Sequence, residues 1–249
     1  MLVLGPRAGF SLGAATLGKG AWTPLALGSK LLAWWDASSG ITLSGNQVTA
    51  WADRKNGYSA VQGLSSARPS WSATSFGGKP GLTFDGNDDE LTLASQPFPT
   101  TAGSEVHAVI QQGALPGDAN VRSFFSYGGG GANTARRAYR ISGNTGQIQV
   151  GSGSSNVTAA TASGLFSGRV YARAIYGATA SSMEIDGSAG APASITPNSG
   201  SARARIGATD AGAPSFFWQG QMRDVIVTSI LTIDEAAKLQ LFLLTRRAL

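Results

Sequence analysis

Residues 78–93 read GKPGLTFDGNDDELTL, and the fold turns on how this stretch is taken. Leu82 and Phe84 alternate with Thr83 and Asp85, and Leu91 and Leu93 alternate with Glu90 and Thr92, the period of two half-buried strands. Between them Gly86-Asn87 supplies the positive φ angles of a tight reversal, and Asp side chains beside it can accept bonds from turn amides. The stretch therefore predicts a hairpin. It also gathers Asp85, Asp88, Asp89 and Glu90, from a chain with 14 acidic residues. Carboxylates this crowded either cost stability at an exposed turn or hold a hard cation through oxygen. Asp85, Asp88 and Asp89 are thus candidate calcium-type ligands, although their spacing is not that of an EF-hand loop.

Outward from this stretch the same rhythm recurs from Leu31 onward. VTAW, EVHAVIQ, VRSFFSY, RAYRIS, GQIQV, RVYARAIY, SSMEID, RARIG and MRDVIVTS are short apolar or alternating runs separated by Gly, Asn, Ser and Pro. With the two strands of 78–93 they make eleven candidates, which predicts an all-β antiparallel sandwich. In RVYARAIY, Val170, Ala172, Ala174 and Tyr176 share a core face and Arg169, Tyr171, Arg173 and Ile175 a solvent face. One helix is expected, Thr232 to Arg247. Thr232 and Glu235 form a capping box, Arg246 and Arg247 suit the C-terminal dipole, and Leu239, Phe242 and Leu243 form a stripe to close the edge or base of the sandwich. Residues 1–30, rich in Gly and without an acidic residue, read as an extended arm, which leaves 31–249 as the folded domain.

Composition excludes several classes of function. The chain has 249 residues, no Cys and a net charge of +5 from 19 scattered Lys and Arg. Thiolate chemistry and disulfides are absent, and no basic block tracks a phosphate backbone, so nucleic acid is not an expected partner. The N-terminus, broken by Pro6 and Arg7, lacks the apolar core of a secretion signal, and no stretch is long enough to span a bilayer.

GKPGLTFDGNDDELTL resembles a hairpin of bacterial and phage laminin-G-like, concanavalin A-like domains. LAWWDASSGITLSGNQVTAWADRKNGYSAVQ resembles the opening of that family, and RARIGATDAGAPSFFWQGQMRDVIV with a short helix its closing segment. The likeness covers residues 31–249 in order. It implies a jelly-roll sandwich of two antiparallel sheets, in a phage or phage-like virion component of the tail, fibre or head appendage. The implied partners are other virion proteins, through the arm, and host-surface glycan. The implied location is the virion. A homo-oligomer fits that setting, although no coiled-coil heptads enforce one.

Catalytic chemistry finds few residues. Laminarinase-like sandwiches carry Glu-x-Asp-x-x-Glu on one strand, whereas here Glu184 and Asp186 are followed by Ala189, so the pair lacks its second acid. Asp88 and Asp89 are adjacent and poorly placed as a pair. His107, the single histidine, reads as structural, and Gly128–Gly131 as a loop without phosphate-cradle sequence. The chain is therefore expected not to be an enzyme, a polysaccharide hydrolase being the third reading after a virion component and a soluble lectin-like module, and to need no cofactor unless the acidic turn holds calcium. For glycan recognition, either on a particle or in a soluble lectin-like module, the aromatics beside loop signals are Tyr58, Trp71, Tyr127 and Trp218. Trp34, Trp35 and Trp51 read as core.

Overall fold

The computed structural model describes residues 22–94, 97–99, 103–113, 121–127, 136–141, 147–152, 155–158, 168–177, 181–190, 192, 203–211 and 213–248. The strands begin with β1 (Leu31–Asp36), β2 (Ile41–Ser44), β3 (Gln47–Ala52), β4 (Ser59–Val61), β5 (Ser70–Phe76) and β6 (Lys79–Asp85). Next come β7 (Leu91–Leu93), β8 (Ser104–Gln112), β9 (Val121–Tyr127), β10 (Arg136–Ile141), β11 (Gln147–Ser152) and β12 (Ser155–Thr158). The set closes with β13 (Arg169–Tyr176), β14 (Ser181–Ile185), β15 (Ser188–Ala189), β16 (Ala204–Ile206), β17 (Thr209–Ala211), β18 (Ala213–Ser215) and β19 (Gln219–Ser229). A C-terminal helix, α1 (Ile233–Ala248), follows.

Hydrogen bonding links all strands but the β17–β18 hairpin into one antiparallel network, which folds over into two layers. The first runs β15–β14–β13–β8–β19. Beyond β19 it continues as β6 and β5 alongside Gln219–Met222, and as β1 alongside Asp224–Thr228. The second runs β2–β3–β4–β7–β16–β9–β10–β11–β12. The layers are joined by one register pair, Gln47↔Ser70. The expected all-β sandwich of two antiparallel sheets with one C-terminal helix is what the chain forms.

Residues 78–93 do not form a hairpin. β6 pairs with β5 and β19 in the first layer, β7 with β4 and β16 in the second, so GNDD is the corner by which the chain changes sheets. Leu82, Phe84, Leu91 and Leu93 still enter one buried cluster, with Trp35, Trp51, Ile110, Phe125 and Val225. The alternation was legible because both strands bury a face towards the same core, at roughly 1.5–3 kcal/mol for each fully buried Leu or Phe. Gly86, at φ 85°, makes the corner possible: a Cβ there would stand 2.6 Å from the Arg122 guanidinium and 2.7 Å from the Gln219 Cβ.

A second core lies on the outside of the first layer, where α1 packs Leu239 and Leu243 against Val109, Tyr171 and Ile226. The helix thus covers a sheet face rather than an edge or base. Tyr171, expected on a solvent face, is consequently fully buried. The capping box forms as expected: the Thr232 amide donates to Glu235 Oε2 at 2.8 Å, and the Glu235 amide to Thr232 Oγ1 at 3.4 Å.

Arg246 does more than complement the dipole. Its Nη2 donates to Asp36 Oδ1 at 2.5 Å and its Nε to Asp224 Oδ2 at 2.6 Å, joining two wholly buried carboxylates that stand opposite each other on β1 and β19. Of the expected arm, residues 1–21 lie outside the described residues. Residues 22–30 belong to the body: a 3-10 helix, Pro24–Lys30, buries Leu27, Trp22 meets Phe242 edge-on at 6.2 Å, and Lys30 pairs with Glu235 at 2.6 Å. No described helix is long and apolar enough to cross a membrane.

Candidate functional site

The acidic corner is built around Asp85. Its Oδ1 accepts the Asn87 amide at 2.8 Å and the Asp88 amide at 3.4 Å, and its Oδ2 accepts Asn87 Nδ2 at 3.0 Å. Slight burial would raise this carboxyl, but these Asn87 and Asp88 donors hold it below its ordinary value. Asp89 Oδ2 accepts the Asp85 amide at 2.9 Å. Burial, and then the Asp85 and Asp88 charges, push Asp89 up to about 6. The structure does bring the three predicted cation ligands together, each with a carboxylate oxygen within 4.8 Å of the others. Three of the oxygens that would meet a divalent ion there, both of Asp85 and Oδ2 of Asp89, already accept donors of the turn.

Two hollows flank this corner. One lies on the outer face of the second layer, where Val61, Thr92 and Arg205 stand in one register row across β4, β7 and β16. It is a groove of about 440 Å³, lined by Gln62, Glu90, Thr92, Arg203 and Arg205 with the aliphatic Val61 and Pro214. Arg205 Nη1 donates to Glu90 Oε2 and, at 2.9 Å, to Thr92 Oγ1, so one guanidinium fixes the groove floor. Arg203 is exposed above it. The other hollow, about 260 Å³, lies where β6, β19 and β8 end side by side, and is rich in glutamine.

The predicted aromatics are elsewhere. Tyr127 and Trp218 are wholly buried, Tyr127 among Phe98, Phe125 and Tyr176 and Trp218 edge-on to Phe124, which corrects their assignment as glycan contacts. Tyr58 and Trp71 are half-buried against the core, and Trp71 Nε1 donates to the Ala37 carbonyl at 2.8 Å. Tyr58 follows Asn56-Gly57 because those residues turn the chain, with Gly57 at φ 75°, not because the ring is displayed. Trp34, Trp35 and Trp51 are buried as expected. The groove residues carried no such signal, since isolated Arg and Thr on a strand look like ordinary surface.

His107 is structural, but not isolated. It shares the outer face of β8 with Glu105; its Nδ1 lies 2.9 Å from Tyr171 Oη and its Nε2 3.1 Å from Glu105 Oε2. Burial keeps the imidazole below its ordinary value, against the pull of Glu105, so the ring is neutral and is held by the Tyr171 hydroxyl at Nδ1, while Nε2 faces Glu105 without completing a hydrogen bond. Glu105 also accepts Arg173 Nε at 2.9 Å and the Leu231 amide at 3.0 Å, tying the sheet to the start of α1. Glu184 is held by Arg173 at 3.0 Å and Asp186 by Arg247, so both are half-buried ion-pair members rather than free surface. Gly128–Gly131 lies outside the described residues.

With this geometry in hand, likeness to solved proteins defines the class of fold. No protein-family model matches the chain, and no curated protein is similar to it. Trypanosoma rangeli sialidase superposes with TM-score 0.63 at 13% identity, over 94% of this chain and 35% of that one. Domain 4 of a GH43 extracellular arabinanase from Geobacillus stearothermophilus, solved with arabinotriose, superposes with TM-score 0.55 at 14% identity, over 85% of this chain and 98% of that one. An arabinofuranosidase complexed with arabinofuranosyl-α-1,2-xylobiose gives TM-score 0.59 at 13% identity, over 81% and 51%. The chain thus spans about a third of the sialidase, half of the arabinofuranosidase and nearly all of the arabinanase domain. These likenesses concern the fold. They overturn the expectation of a chain set apart from enzymes, because its sandwich is one that chains of glycoside hydrolases carry.

Proposed function

We propose that the chain is a carbohydrate-binding β-sandwich and that saccharide lies in the groove across β4, β7 and β16. The observation that carries this is the groove itself: an open hollow on a sheet face with a fixed floor of Glu90, Thr92 and Arg205 and an exposed Arg203 at its side. Amide, hydroxyl, carboxylate and guanidinium groups in one hollow match the donors and acceptors of sugar hydroxyls, and Val61 and Pro214 offer aliphatic contact to ring carbons. The arabinanase domain, a sandwich of nearly the same extent, was solved with arabinotriose, which supports the reading.

Glycan-array binding tests it. Wild type is expected to retain a defined set of saccharides, and Arg203→Ala and Gln62→Ala to lose them while melting as wild type does. A wild-type chain that retains none, or binding untouched by both substitutions, sinks the proposal. The setting we infer, from the residues that resemble virion sandwiches, is a phage or phage-like particle that displays the groove towards host-surface glycan. Deleting residues 1–21, which leaves Trp22 and Leu27 in their packing, is expected to abolish incorporation into particles. Normal incorporation of the truncated chain refutes that setting.

A further inference from the structure

Charge is unevenly placed in the groove across β4, β7 and β16. Arg205 of β16 and Arg203, one residue ahead of that strand, both line it; residues two apart in extended chain share a face and stand about 6.8 Å apart. Glu90, the one carboxylate among the described lining residues, is engaged by Arg205 and, at 3.4 Å, by the Thr92 hydroxyl. Arg203 is exposed and makes no hydrogen bond or ion pair with any described residue. A third guanidinium, Arg68, stands at the Glu90 end. Its Nε donates to the Gln62 carbonyl at 2.9 Å and its Nη2 to the Gly63 carbonyl at 2.6 Å, and the neighbouring Ala67 carbonyl accepts the Glu90 amide at 3.1 Å. Its acceptors are neutral, so the charge of Arg68 also meets no described carboxylate. The apolar lining is aliphatic, Val61, Ala94 and Pro214, with no aromatic ring among the described lining residues.

We propose that the saccharide this groove takes is acidic, with its carboxylate or sulfate group on Arg203. This rests on the groove being a saccharide site, as proposed above, and names the class of sugar. Sites for neutral small ligands draw most of their hold from hydrophobic and aromatic walls, and here three aliphatic side chains are all the described lining offers. The groove has a free guanidinium instead. A hydrogen bond to an ionised group is roughly twice as strong as one between neutral groups, and the planar fork of Arg meets two oxygens of an anion at once, which a single sugar hydroxyl does not supply. Arg203 can present that fork without breaking a bond to any described residue, whereas Arg205 is held in the floor by Glu90 and Thr92. Arg68 adds potential of the same sign from the other end of the groove. A basic sugar would face three guanidinium groups, with the one described carboxylate already engaged.

An array of matched pairs tests the proposal: oligogalacturonate and its methyl ester, sialyllactose and lactose, sulfated and plain galactose chains. Wild type is expected to retain the acidic member of at least one pair about ten-fold more tightly than its neutral twin. Added sodium chloride should erode that difference, because an exposed charge pair is screened. Arg203→Gln should abolish the preference while melting as wild type does, and Arg203→Lys, which keeps the charge without the fork, should keep part of it. Retention of the carboxylated or of the sulfated class supports the proposal and identifies the anion. Neutral saccharides held as tightly as acidic ones, and lost in Gln62→Ala, overturn it and leave the proposed function standing. Retention of no saccharide at all removes both. An acidic preference that survives Arg203→Gln also overturns it.

Discussion

Replacing Arg246 by Met keeps much of the aliphatic stem but withdraws the guanidinium, which bridges Asp36 and Asp224 and lies over the Phe242 ring at 5.6 Å. The two carboxylates are cross-strand neighbours with no exposure, an arrangement that repels unless a cation lies between them. Asp36 keeps Arg54 at 2.8 Å and the Ser38 amide and hydroxyl. Asp224 keeps the Trp34 indole at 3.1 Å, a neutral donor. Breaking a buried pair by removing one partner costs about 3–5 kcal/mol, which for a chain of this length lowers Tm by roughly 6–20 °C. Urea unfolding followed by tryptophan fluorescence measures the loss.

The charge left behind gives a second, sharper readout. Burial already raises Asp224 above its ordinary value, against the pull of Arg246, and without Arg246 it rises further. A raised carboxyl contributes stability that is complete below its unfolded pKa of about 3.9 and is lost as pH climbs through the folded value. Arg246→Met should therefore be worst at neutral pH and closest to wild type in mild acid. Adding Asp224→Asn should recover part of the loss, because it removes the uncompensated charge. A deficit below about 1 kcal/mol, or a double variant no more stable than Arg246→Met alone, refutes the reasoning.

Three further outcomes can be checked in the same way. Asp89, raised to about 6, contributes stability that is complete below about pH 4 and lost as pH rises through 6, so Asp89→Asn should gain on wild type across that window; a constant difference between the two melting profiles counts against it. EDTA is expected to leave Tm unchanged, because the oxygens of Asp85 and Oδ2 of Asp89 already accept donors within the turn; a clear drop restored by calcium would reverse this. Trp218→Ala should cost about 3–5 kcal/mol by urea unfolding, as befits a wholly buried ring, whereas an exposed sugar-stacking ring would cost little.

The strand content, the inward faces of β6, β7 and β13, and the capped terminal helix were readable from the chain because each is a local pattern: period-two alternation, or a Thr and a Glu three residues apart. The same alternation could not distinguish a hairpin from a corner, because Leu82 and Leu91 point at one core whether their strands pair or face each other across it. Nor could loop signals around Tyr127 and Trp218 report exposure.

What the amino-acid order determined alone is which face of each strand avoids water and where the final helix starts, since neighbours along the chain suffice for both. The tertiary structure decided which strands share hydrogen bonds, that α1 covers Tyr171 and clamps Asp36 to Asp224, and that the groove stays open. Those depend on what the rest of the chain lays over each side chain, and coverage by a distant segment leaves no trace in local sequence.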